Sequence, residues 1–94
     1  MYRGLLLLLL AGALAQAQES RGTIAGVVMD AQSAGIPKAR VVITNKDTGV
    51  DTVLQTNERG AYIAPLLIPG NYRISAEHEG FKKFTRDGIT LSVN

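Results

Sequence analysis

A chain of 94 residues with ten Lys/Arg, eight Asp/Glu, a formal net charge of +2 and no cysteine can hold one domain at most. It cannot carry a disulfide or a thiolate metal site. Its small positive balance lacks the clustered basic excess of a nucleic-acid binder.

The first predicted element is an export leader over residues 1–17. The segment MYRGLLLLLLAGALAQA places one cation, Arg3, ahead of an apolar stretch from Leu5 to Ala15. Small residues follow at Ala13, Ala15 and Ala17. This is the layout of a secretory signal, a positive end and an apolar helix before side chains that fit a peptidase's shallow pockets. Cleavage is expected after Ala17. A permanent transmembrane helix needs roughly 20 predominantly apolar residues, and this run is shorter. Without a cysteine there is no acceptor for lipid. Removing the leader takes Arg3 away, so nine cations face eight acids and the net charge falls to +1. Residues 18–21 form a short polar leader. The 77 residues that remain would hide only about 60% of their unfolded surface. Such a module relies on its core alone, on a neighbouring domain or on oligomerisation.

After Ser20 the apolar pattern has period two, as in half-buried strands. TIAGVVMD puts Ile24, Gly26 and Val28 on one face. AQSAGIP reads as a turn, with Asp30 supporting it. KARVVITN alternates, with Ala39, Val41 and Ile43 inward and Arg40, Val42 and Thr44 outward. KDTG is a turn, VDTVLQT a half-exposed strand, NERG a turn and AYIA the start of a fourth strand. In LLIPGNYRISAEHEGFKKF a Pro-Gly turn precedes a fifth strand with Tyr72, Ile74 and Ala76 on one face. GITLSV is the last strand, with Ile89, Leu91 and Val93 on one face. Each strand is expected to show one apolar and one polar face. Turn spacing of about 8 to 12 residues predicts an all-β fold, a small antiparallel Greek-key sandwich of about six to seven strands behind a signal-peptide helix.

Several of these residues also carry a resemblance. Gly26, Val28 and Asp30, then Pro37, Ala39 and Val41, then Thr56, Gly60 and Tyr62, then Leu67, Pro69, Gly70 and Tyr72, then Gly80 and Phe81 stand in this order. The set resembles the carboxypeptidase regulatory-like domain, whose fold is a transthyretin-like (prealbumin-like) β-sandwich of about seven strands. The likeness covers about residues 22–93. Asn57 stands where that family often has Asp, and both make Asx-type turn bonds. A leader, one such domain and then GITLSV is similar to the start of Oar-like TonB-dependent outer-membrane receptors. There the domain precedes a plug and a membrane β-barrel. The resemblance implies that the domain, residues 22–94, lacks a closing strand, which would leave a sheet edge open.

His78 stands between Glu77 and Glu79, but consecutive strand residues point to opposite faces and cannot easily close on one ion. With no second His and no Cys, the ligand count falls short of a zinc site. The serines at 20, 33, 75 and 92 show no triad spacing. The pairs Asp47/Asp51 and Glu77/Glu79 fall in turns and strand ends. No catalytic, cofactor-binding or metal residue is therefore expected. The carboxypeptidase in the family's name belongs to a separate zinc-binding domain.

Phe81, Lys82, Lys83 and Phe84 form the candidate surface contact, cations around aromatic rings. Export and a near-zero charge argue against nucleic acid as their target. An aromatic platform for carbohydrate is an alternative function, since the fold also resembles starch-binding modules. An accessory domain of a secreted peptidase is another. The leading expectation is a non-enzymatic, exported module of a TonB-dependent receptor, or its remnant, with a structural or protein-contacting role. Its partner would be the receptor's own plug and barrel or another envelope protein. The membrane would be met only indirectly. Its place would be the periplasmic side of the bacterial outer membrane, or outside the cell.

Overall fold

The computed structural model describes residues 21–92. The predicted leader, its cleavage point and Val93 lie outside the described residues. The described part is all-β, with six strands. These are β1 (Gly22–Val27), β2 (Arg40–Asn45), β3 (Asp51–Gln55), β4 (Ala61–Leu67), β5 (Gly70–Glu77) and β6 (Phe84–Leu91). They form a two-stranded sheet, β1-β4, and a four-stranded sheet, β3-β2-β5-β6. Every pairing is antiparallel.

The two central strands carry the core. In β2, Val41 and Ile43 are fully buried, with Ala39 just before the strand, and Arg40, Val42 and Thr44 point outward as the alternation requires. Tyr72, Ile74 and Ala76 of β5 are buried on the same side. With Ile24 and Ala64 from the small sheet they make one cluster. Burying a branched side chain of this size contributes about 1.5–3 kcal/mol, and the β-branched residues also suit the pleated backbone.

Polar side chains tie the connections to this core. The Tyr72 hydroxyl donates to the Ile68 carbonyl at 2.6 Å, across the Pro-Gly turn, and accepts from Asn45 Nδ2 at 3.3 Å. The Oδ1 of the buried Asn45 accepts the backbone N–H groups of Asp47 and Thr48, holding the β2–β3 turn. Thr56, also buried, donates to the Ile36 carbonyl at 2.6 Å and accepts the Ala39 N–H at 2.8 Å. Asp30 Oδ1 accepts from Gln32 and Ala34, and Asn57 Oδ1 from Arg59 and Ala61. Both are Asx-type turns, as their sequences predict. Gly60 has a φ of 79°, and a Cβ on Gly35 would run into the Arg59 carbonyl. The loop after β1 therefore docks backbone to backbone on the β3–β4 turn.

Two features differ from the sequence expectation. The last strand starts at Phe84 rather than near Gly88, because Phe84, Thr85 and Arg86 already pair with β5. Gly88, with φ 72°, sits where the register shifts, so it is a bulge inside the strand and not its start. The outer face of the small sheet is also not polar. Ala25 and Val27 of β1 stand beside Ile63 and Ala61 of β4, with Val27 51% and Ile63 63% exposed. The outer face of the large sheet, in contrast, carries Arg40–Glu77, Arg73–Asp87 and Thr44–Asp51 contacts.

Candidate functional site

A concavity among the described residues follows from the unequal sheets. A two-stranded layer cannot cover a four-stranded one, and a cleft of about 600 Å³ opens between β1 and β6. Its floor and walls are apolar: Ile24, Val28, Ile74, Ala76 and Ile89. Phe84, 60% exposed, stands at its mouth. Tyr62 lies across Gly26, its cross-strand partner, so closely that a Cβ on Gly26 would meet the phenol ring. The glycine makes the room that this ring occupies. Burial raises the Tyr62 phenol above its ordinary value, and the charge of Arg86 opposes that rise. Arg86 also lines the cleft. It takes part in none of the ion pairs among the described residues.

The predicted contact residues border two neighbouring hollows that share Phe81. Phe81 lies in the β5–β6 connection, 49% exposed, and meets the His78 ring edge-on at 5.8 Å. Phe81, Lys82 and Phe84 border a depression of about 240 Å³ with Met29 and Ile36. Lys83 faces another hollow, beside Lys38, Arg40 and Glu77. The Phe84 ring belongs to the β1–β6 cleft as well. Arg86, Tyr62 and Val27 line the β1–β6 cleft, which Lys82 and Lys83 do not; of these three, Val27 is the one that the sequence did not bring forward. The alternation of TIAGVV carried the one legible sign, an uncharged outward face at Ala25 and Val27.

The remaining candidates have local roles. His78 Nδ1 lies 3.0 Å from the Glu79 carbonyl. Among the described residues no three of His, Cys, Asp and Glu converge. Asp87 is exposed, and its carboxyl is held below the ordinary range, first by the hydrogen bond from Lys46 at 2.9 Å and then by Arg73. It binds β6 to β5 and to the β2–β3 turn.

Comparison with known proteins agrees with this architecture. The chain is 44% identical over 89 residues to the TonB-dependent transporter Oar of Myxococcus xanthus. That match covers 92% of this chain and 8% of the transporter, so the chain spans less than a tenth of its relative's length. No solved structure matches it. Residues 23–94 match the model of the carboxypeptidase regulatory-like domain, and the chain belongs to that family.

Proposed function

We propose that this chain is a non-enzymatic, exported accessory module of a TonB-dependent outer-membrane receptor, with a structural or protein-contacting role on the periplasmic side. The observation that carries the reading is the 44% identity to a TonB-dependent transporter along almost the whole chain. The apolar leader of residues 1–17 adds support for export. The site chemistry points the same way. Acid–base or nucleophilic work needs a base in reach of a reacting group, and His78 instead packs on Phe81 beside its neighbour's carbonyl. Partners would be the plug and barrel of the same receptor or another envelope protein. The residues at the β1–β6 end, Phe84 among them, are the contact surface in this reading, and the open β1 edge is the place a further strand of the module would occupy.

The test is export and genetic context together. Fused to a phosphatase that is active only outside the cytoplasm, the leader should give activity, and the coding DNA around the chain should encode a plug and a barrel. An inactive fusion, or a locus with no receptor coding sequence, would sink the proposal.

A further inference from the structure

We propose that Asp87–Gly88 is a self-modification site, where the backbone isomerises to isoaspartate through a cyclic imide, and that the Lys46 and Arg73 cations guard it in the folded module. Neither export nor the receptor setting enters into it.

The reaction is intramolecular and uses only water. The Gly88 amide nitrogen attacks Cγ of the protonated Asp87 side chain. The N–Cγ bond forms, the Cγ–OH bond breaks, and the hydroxyl leaves as water with the amide proton. Water then opens the five-membered ring at either of its carbonyls. Opening at Cγ restores the aspartate. Opening at the former main-chain carbonyl breaks its bond to nitrogen and turns it into a free carboxylate. The chain then runs on through Cβ and Cγ. One water leaves and one returns, so the mass is unchanged and nothing is oxidised or reduced.

Sequence and geometry select this position. Among the aspartates and asparagines of the chain, Asp87 alone precedes a glycine, and a glycine has no Cβ to crowd the attacking nitrogen. The Gly88 N–H donates to Asp87 Oδ1 at 3.3 Å, so the nucleophile already lies beside the carboxyl group. Other carboxyl and amide groups are turned to different partners. Asp30 and Asn57 accept from amides two and four residues ahead. Asp47 accepts from Asn71, and Asp51 from Thr44. The backbone at Asp87 is also less bound than that of an ordinary strand. Neither Asp87 nor Gly88 has a partner of its own in the β5–β6 register, and Gly88 sits in the bulge with a φ of 72°. The Asp87 side chain is 52% exposed, so water reaches it.

The guard is electrostatic. Lys46 Nζ from the β2–β3 turn stands 2.9 Å from Oδ1, and Arg73 Nε from β5 stands 3.3 Å from Oδ2. Each carboxylate oxygen thus faces a cation, and opposite charge favours the ionised form. The hydrogen bond from Lys46, then the charge of Arg73, holds the carboxyl below its ordinary range. An ionised carboxylate has no hydroxyl to lose as water, so ring closure is suppressed at neutral pH. The same two contacts are what the isomer would forfeit. It carries one more methylene in the backbone of β6 and its carboxylate is displaced from both cations. The modification would therefore release the joint between β6, β5 and the β2–β3 turn.

The experiment ages the purified chain at neutral pH and counts isoaspartate at position 87 by proteolysis and electron-transfer mass spectrometry. The free peptide FTRDGITL, aged alongside, gives the unguarded rate. The folded parent is expected to isomerise more slowly than the peptide. Lys46→Ala and Arg73→Ala should each speed the folded chain by about two- to fivefold, the range of exposed ion pairs. Lys46→Arg keeps the cation and should stay at the parent rate. High salt should speed the parent in the same direction, with no substitution made. Asp87→Glu keeps the charge but would need a six-membered ring, and should give no isomer. Arg40→Ala breaks the separate Arg40–Glu77 pair and should leave the rate unchanged. A parent as fast as the free peptide, no isoaspartate at 87 in either alanine variant, or alanine variants at the parent rate overturns the proposal. An equal rise in Arg40→Ala would trace the effect to general loosening, and that also overturns it.

Discussion

Tyr72 is held at both ends of its side chain. Its ring is 2% exposed among Ile43, Ile74 and their neighbours, and its hydroxyl closes the Pro-Gly turn through the Ile68 carbonyl. Tyr72→Ala should destabilise the fold by about 3–5 kcal/mol in urea denaturation, as loss of a buried aromatic does. Tyr72→Phe keeps the ring and strands Asn45 Nδ2, so it should cost about 1–3 kcal/mol. A smaller loss would mean that water replaces the hydroxyl. His78→Ala removes an exposed ring that touches Phe81 and should stay within about 0.5 kcal/mol of the parent in the same assay. Tyr72 was readable in the sequence because period-two spacing from Ile74 and Ala76 puts it on the buried face. Asn45 and Thr56 were not, because their partners Tyr72 and Ala39 lie 27 and 17 residues away. A buried amide is predictable only once its acceptors are known.

Between elements, backbone fit and surface charge hold different joints. The loop after β1 reaches the β3–β4 turn at Gly35 and Gly60, where no side chain separates the two backbones. Gly35→Ala should force them apart and cost about 1–3 kcal/mol, read as a lower thermal midpoint. The β5–β6 joint relies partly on Asp87 with Lys46 and Arg73. Because the folded-state pKa of Asp87 is lowered, its contribution is complete above its ordinary carboxylate value. It is lost as pH falls through the depressed folded value. Thermal midpoints measured from pH 7 down to 2 should therefore fall less steeply in Asp87→Asn than in the parent below about pH 4. Added salt should shrink that difference, since the pairs are exposed. The inward faces of KARVVITN and NYRISAE were legible from alternation. The start of β6 was not, since FTRD shows no apolar alternation and becomes a strand only by pairing with β5.

For the chain as a whole, the proposed export gives one further measurable outcome. Mass spectrometry of the secreted product should show a chain beginning at Gln18, and a retained leader would give the intact mass instead. Composition and period-two patterning by themselves determined the all-β class, the inward faces of β2 and β5 and the turn chemistry of Asp30 and Asn57. Each depends on residues a few positions apart, and the ordered motifs that signal the family have the same local basis. The tertiary structure alone decided that the described strands form sheets of two and four, that an apolar cleft lies between β1 and β6, and that Arg86 and Tyr62 meet there. The physical reason is that alternation tells a strand which face to bury and not which strand lies beside it. Hydrogen-bond partners across a sheet, and the space two layers leave between them, exist only after distant segments have paired.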